Sequence, residues 1–291
     1  MPIDLKKALT AKHEPVSQSY SETDVILYNL GIGASAGAAS VDQLELGYTF
    51  EENLTVLPSF GVIPVFPMMD QTFLHTPGID VPMANVLHGE QEIEIHRPLP
   101  PNAKLESKAS IPAIYDKGKS ALVIIQVDTK EKGGDQICTN RFSLFARGEG
   151  GFGGDRGPHA DNKAPDERAP DFTVESTSTV NQPLLYRLTG DMNPLHANPE
   201  VAKKAGFPRP ILQGLCTFGM VCKAVVDNVL GGDVSQVSGY GVRFASPFFP
   251  GDTLVTKVWK EGDKKLLISS HAKDGGGFVL TNAFITLRKQ P

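Results

Sequence analysis

"TFGMVCKAVVDNVLGG", residues 217–232, is the stretch that decides the fold. Phe218, Val221, Cys222, Val225 and Val229 recur at helical spacing, and Gly231 and Gly232 supply a stop. The remaining positions are apolar enough that the helix is expected to be nearly enclosed. An enclosed helix needs a wrapping layer, and the sequence after it is rich in strand formers. "YGVRFASPF" (240–248), "TLVTKVWKEG" (253–262), "KLLISSHAK" (265–273) and "FVLTNAFITLR" (278–288) read as strands. The turns "EGDKK" (261–265) and "KDGGG" (273–277) separate them as hairpin connections would. A long helix followed by an antiparallel meander predicts a helix wrapped by a sheet.

The same pattern occurs earlier in the chain. "LYNL" (27–30) matches "LYRL" (185–188), and "LPSFG" (57–61) matches "LCTFG" (215–219), both at an offset of 158 (186 − 28; 215 − 57). "RPLPPNAKL" (97–105) parallels "SPFFPGDTL" (246–254), and "ICTNRFSLF" (137–145) parallels "VLTNAFITL" (279–287). The first copy also carries strand-like runs: "EQEIEIHRPL", "AKLESKASIPAI", "SALVIIQVDTK" and "ICTNRFSLFAR". The expected class is therefore α+β, with two repeated units of helix and antiparallel sheet joined edge to edge. The units are assigned to residues 1–147 and 173–291. Between them, "GEGGFGGDRGPHADNKAPDERAPDF" reads as a surface linker, 148–172, with "GGFGG" expected to be flexible backbone. One difference between the copies is already visible. Pro58, Pro64, Pro67, Pro77 and Pro82 interrupt the first copy where the second has its helix. An interior proline costs a helix about 3 kcal/mol, so the first copy is expected to lack the long helix and to leave room beside Phe60, Val65, Phe66, Met68 and Met69.

Composition narrows the function classes. The chain has 291 residues and a formal net charge of −5, which argues against bulk attraction to nucleic acid or an anionic membrane. Three cysteines without C-x-x-C spacing read as reduced thiols, hence an intracellular compartment. The N-terminal "MPIDLKKALTAKHEP" lacks an apolar signal core, and "LRKQP" is not an S-K-L type ending.

"TGDMNPLHANPE" (189–200) carries the chemistry. Asp191 and His196 lie five residues apart, with Asn193 and Pro194 between them. Asn193 suits a helix cap and Pro194 the first helical position, so a purely structural start is one reading. The repeat favours another. At the offset of 158, Asp191 falls opposite Gly33 and His196 opposite Ala38, in "GIGASAGAAS". Polar groups needed only by the fold would be expected in both copies. A carboxylate and an imidazole sharing one water can add water across a conjugated double bond or remove it. Gly214, before the apolar helix, is expected to leave an N–H open to the developing enolate oxygen.

"YRLTGDMNPLHANPEVAKKAGF" (186–207) resembles the hydratase 2 motif of (R)-specific type 2 enoyl-CoA hydratases, in the MaoC-like hot-dog superfamily. "LHGEQ", "YDKGK", "GGFGG", "PILQGLCTFG" and "VRFASP" extend the likeness through most of the chain. The resemblance implies a double hot-dog fold, a homodimer and hydration of trans-2-enoyl-CoA to (3R)-3-hydroxyacyl-CoA in peroxisomal β-oxidation. It implies no cofactor and no metal. It assigns the catalytic roles to Asp191 and His196, and support of the water and oxyanion to Asn193 and Gly214. Acyl-CoA contacts would fall on His88, Gly89, Lys117, Phe244 and Gly214, together with Asp191, Met192, Asn193, Pro194, Leu195 and His196. One departure is Gln213, where the family usually has histidine. Two further readings stay open: a dehydratase acting on carrier-protein thioesters, and a non-catalytic acyl-CoA-binding protein.

Other signals are weaker. Gly31, Gly33 and Gly37 lack the G-x-G-x-x-G spacing of a dinucleotide site. Tyr115 and Lys119 form Y-x-x-x-K in a segment that reads as a turn between strands. His13, His75, His96, His159 and His271 show no metal-ligand spacing.

Overall fold

The computed structural model describes residues 3–36, 42–158 and 161–288; Ala38 and His159 lie outside the described residues. Five strands belong to the first half of the chain: β1 (Val16–Tyr20), β2 (Val86–Ile95), β3 (Ala103–Asp116), β4 (Ser120–Glu131) and β5 (Gln136–Arg147). Five belong to the second: β6 (Phe172–Thr177), β7 (Val237–Phe244), β8 (Thr253–Glu261), β9 (Lys265–Ala272) and β10 (Phe278–Leu287). The helices are α1 (Leu5–Thr10), α2 (Glu22–Gly31), α3 (Gln43–Thr49), α4 (Phe66–His75), α5 (Gln182–Tyr186), α6 (Pro199–Lys204) and α7 (Gly214–Val229).

The strands form one sheet in the order β1-β3-β4-β5-β2-β7-β10-β9-β8-β6. Read inward from each edge, the two halves have the same order. They meet at the antiparallel pair β2–β7, registered from Glu90↔Arg243 to Glu94↔Gly239. This seam gives each half-sheet a partner on a long edge that would otherwise be open. The sequence reading missed the outermost strands, β1 and β6. Both are short and lie at the sheet edges, and no run of buried residues marks them.

α7 is enclosed as expected: every residue from Leu215 to Val226 is buried. Phe218 stacks on Tyr240 at 4.2 Å between ring centroids, and the Tyr240 hydroxyl donates to the Phe218 carbonyl. The first half has no such helix. A 3₁₀ turn, Pro58–Val62, is followed by the ten-residue α4. Pro58 and Pro67 occupy the opening turns of these elements, where a missing N–H leaves no helical bond unmade. Prolines thus break the long helix and start two short ones. Phe60, Val65, Met68 and Met69 are buried in the core.

The halves are locked together through their helices. Tyr28 of α2 and Tyr186 of α5 are related by the sequence offset, and their rings lie 6.1 Å apart. Lys223 of α7 donates to Glu45 of α3 at 2.6 Å and to Asp227 at 2.7 Å. The Tyr48 hydroxyl closes the cluster on Asp227 at 2.6 Å. These groups are largely buried, and the two carboxylates raise the Lys223 pKa against the downward pull of burial, the largest single influence.

The connection between the halves corrects the sequence reading. "GGFGG" is not loose backbone. The N–H groups of Gly151 and Gly153 donate to the Asp116 carboxylate at 2.8 and 2.7 Å. Farther along, the Arg168 carbonyl accepts from the Trp259 indole at 2.8 Å. Glycine was read as freedom, whereas here it is required for close approach: a Cβ on Gly150 would lie 2.5 Å from the Gly118 carbonyl oxygen.

Candidate active site

Asp191 follows Gly190, whose φ of 132° turns the chain sharply after a 3₁₀ turn, Arg187–Thr189. Its Oδ1 accepts from the Asn193 N–H at 3.2 Å. Asn193 in turn caps the turn Pro194–His196, its side chain accepting from the Leu195 N–H at 3.0 Å. The capping role read from Asn193 and Pro194 is therefore present, in a 3₁₀ turn before α6. It also fixes the backbone that carries both proton-handling groups.

His196 is buried. Its Nδ1 lies 2.9 Å from the Ile211 carbonyl oxygen. A carbonyl can only accept, so Nδ1 carries the hydrogen and Nε2 of the neutral ring presents a lone pair. Nε2 stands 3.8 Å from Asp191 Oδ2. With the ring in its neutral form, two acceptors face each other there, too far apart for a bond and well placed to share a donor.

Three residues beyond Ile211, Gly214 begins α7. The first N–H groups of a helix have no intrahelical acceptor, and this sixteen-residue helix adds its positive end. A side chain at Gly214 would press on the Phe244 ring, its Cβ 3.2 Å away. Gln213 is fully buried, and its amide donates to the Pro183 carbonyl at 3.0 Å. It ties α7 to α5 and does not face the helix opening as a free donor.

Phe244 continues the wall. Its ring meets His88 edge-on at 5.2 Å, and His88 also lies 5.7 Å from Phe142. Burial among these rings pushes the His88 pKa down to about 4, so it is neutral near pH 7. Its Nε2 lies 3.1 Å from the Glu90 carbonyl, across an irregularity in β2 that contains Gly89. Gly89 lies under Phe145, where a Cβ would come within 2.4 Å of the ring.

The structure joins Asp191, Asn193 and His196 by direct contacts, and Gly214, Phe244 and His88 by others; Ile211, which holds His196, lies three residues before Gly214. Met192 and Pro194 are exposed on the same loop, and Leu195 is half-buried. Lys117 is elsewhere. It lies in the β3–β4 turn, in a groove of about 560 Å³ on the outer face of the sheet, lined also by Tyr115, Phe145, Arg243, Pro158 and Asn162. Phe145, which covers Gly89, is part of the lining of this groove. Sequence reasoning missed Asp70. This half-buried residue of α4 has its carboxyl raised above the usual range, first by burial and then by the Asp191 charge. A lone acid in the apolar run "PVFPMMDQTF" was the available signal. Among the described residues, no three His, Cys, Asp or Glu side chains converge as metal ligands.

Residues 18–148 match the MFE-2 hydratase 2 N-terminal domain, and residues 161–275 match the MaoC-like domain. The enoyl-CoA hydratase ChsH3 of Mycobacterium tuberculosis is 47% identical over 90% of this chain and 91% of its own length. The peroxisomal multifunctional enzyme type 2 of Mus musculus is 39% identical over 93% of this chain, which spans only 37% of that protein. Among solved structures, a MaoC-like dehydratase from Phytophthora capsici superposes with a TM-score of 0.87 at 32% identity, covering 99% of this chain and 100% of that one. A more distant Mycobacterium tuberculosis protein described as a double hot-dog shares the fold at a TM-score of 0.57 and 13% identity, covering 95% and 96%. The chain belongs to the hydratase 2 family of MaoC-like double hot-dog proteins.

Proposed function

We propose that this protein hydrates trans-2-enoyl-CoA to (3R)-3-hydroxyacyl-CoA in β-oxidation. The observation that carries this reading is the 3.8 Å separation of Asp191 Oδ2 and His196 Nε2, both acceptors. A water between them donates one O–H to each and is held with its oxygen lone pairs outward. In the forward direction the pair takes a proton as the water oxygen bonds to C3 of the enoyl group. Electrons move from the C2–C3 double bond onto the thioester oxygen. The open N–H at Gly214 and the positive end of α7 stabilise that oxygen. The proton then passes to C2, the enolate collapses, and the pair is restored. Asp191 and His196 act as one coupled unit in this scheme. Dehydration runs the same steps backwards.

His88, being neutral and packed against Phe142 and Phe244, serves as wall and shape, not as an anion site. Gly89 and Phe145 lead from that wall to the outer groove, where Lys117 meets the phosphates of CoA. Asn193 keeps Asp191 in place, and Met192, Pro194 and Leu195 border the entry. A homodimer, with peroxisomal residence in a host that has the organelle, completes the reading. No helix among the described residues is long and apolar enough to cross a membrane.

The test is hydration of crotonyl-CoA and trans-2-decenoyl-CoA, followed by loss of enoyl absorbance and chiral analysis of the product. Formation of the 3S product, or no turnover on either substrate, overturns the proposal. Preference for a carrier-protein thioester over the CoA thioester would favour the dehydratase reading.

A further inference from the structure

Asp116 is a buried carboxylate that the hydration scheme does not use. It ends β3, one residue before Lys117, and it is saturated with backbone donors. Gly118 and Gly151 donate to Oδ1, each at 2.8 Å, and Gly153 donates to Oδ2 at 2.7 Å. The Asp116 N–H donates in turn to the Asp155 carbonyl at 2.8 Å, and the Gly148 N–H to the Lys119 carbonyl at 2.9 Å. Backbone donors hold its pKa below the usual carboxylate range, with the Gly151 and Gly118 N–H groups contributing most. The segment 148–158 is therefore a strap tied down on the β3–β4 turn.

The strap touches the groove directly. The Lys117 ammonium donates to the Arg156 carbonyl and lies 5.7 Å from the Tyr115 ring centroid. Gly157 lies so close to Tyr115 that a Cβ would come within 2.7 Å of its ring. Pro158, the next residue, lines the groove with Tyr115, Lys117 and Arg243. The strap needs glycine at Gly150, where any side chain would strike Gly118 and Ser120. The result is a hydrogen-bonded frame around Lys117 that begins at Asp116.

We propose that Asp116 is a positioning residue for the nucleotide end of the substrate: by fastening the strap to the β3–β4 turn, it sets the place of Lys117 and the strap-side wall of the groove. This rests on the reading above of Lys117 as the contact for the CoA phosphates. Asp116 touches no reacting atom, so its loss weakens substrate capture and leaves the chemical step alone.

The experiment compares Asp116→Asn and Gly150→Ala with the unaltered protein on two substrates, trans-2-decenoyl-CoA and the decenoyl thioester of pantetheine, which lacks the nucleotide. Release of the strap is checked by the rate of tryptic cleavage after Arg156. The expected result is faster cleavage, KM for the CoA thioester raised about tenfold, and kcat and the pantetheine reaction both within about twofold of normal. Affinity for CoA itself, measured by calorimetry, should fall by the same factor. Unchanged cleavage would show that Asp116 does not hold the strap. A released strap with unchanged KM, or equal losses on both thioesters, would also overturn the proposal. Gly150→Ala keeps the carboxylate and displaces the strap by contact alone, so it decides the matter if Asp116→Asn does not fold. An unaltered protein that turns over neither thioester would sink the hydratase reading. The calorimetric arm would still test Asp116.

Discussion

The two halves of this chain build the same five-stranded order and then use it differently. The second half keeps α7 unbroken for sixteen residues and places Asp191 and His196 beside its start. The first half has a 3₁₀ turn and the shorter α4 in the corresponding place, and small residues where the pair would fall. Each half-sheet partners the other at the β2–β7 seam, and under the proposed function only one half supplies the reacting groups. The first half still carries His88, packed against Phe244 of the second half, and Asp70, whose carboxyl is raised by burial and then by the Asp191 charge.

The sharpest way to break this comparison is to remove the pair. Asp191→Asn or His196→Gln should leave the fold intact and lower turnover by about 10²–10⁴-fold, the usual scale for general acid–base groups. The double variant should be little worse than the poorer single one, because groups acting as a unit are not additive. Near-normal rates in both single variants would mean that the asymmetry between the halves is not catalytic.

The joint between the halves should also be costly to cut. Lys223→Met leaves Glu45 and Asp227 facing each other in a largely buried site. A loss of about 3–5 kcal/mol is expected in urea unfolding. A loss under about 1 kcal/mol would show that the cluster is solvated like a surface pair.

A smaller effect tests the seam beside the active site. The folded-state pKa of His88 is about 4, below the ordinary 6.5, because burial disfavours its charged form. Above pH 6.5 both states hold it neutral and no penalty arises. As pH falls from 6.5 towards 4, the unfolded chain binds a proton that the folded chain does not. Stability should therefore decline across that window, by about 3 kcal/mol at most. His13 and His271, also lowered chiefly by burial, add to the same trend. Replacing His88 with Gln should flatten the profile. An identical slope in the variant would assign it to other groups.

The smallest increments concern the lost helix. If the first half leaves room for the acyl chain, each added methylene should contribute about 0.8 kcal/mol of binding until the space is filled. kcat/KM should then hold or rise from crotonyl-CoA to medium-chain substrates. Val65→Trp should depress the longer substrates and spare crotonyl-CoA. A steep fall beyond about six carbons in the unaltered protein would exclude the extra room.

Much of this was legible from residue order. Apolar periodicity marked α7, strand-forming runs and turn residues marked the inner strands, and repetition implied one sheet with a central seam. The edge strands β1 and β6 were not legible, since a short strand with no run of buried residues leaves little apolar signal. "GGFGG" was misread because glycine permits both freedom and close contact, and the sequence does not say which partner is near. Asp70 escaped notice for a related reason: its raised carboxyl comes first from burial and then from Asp191, more than a hundred residues away.

By itself, then, the sequence determined which side chains could do chemistry and which half of the molecule holds them. Local spacing keeps Asp191, Asn193 and His196 within six residues of chain, on the loop that leads into the turn Pro194–His196. Only the tertiary structure decided how they are set. The Ile211 carbonyl, fifteen residues beyond His196, chooses the imidazole tautomer and leaves Nε2 facing Asp191. Gln213 is turned inward to Pro183, and Asp116 collects donors from a strap more than thirty residues later. Hydrogen-bond partners and burial belong to neighbours in space, and proximity across a folded sheet is not written in any local stretch of chain.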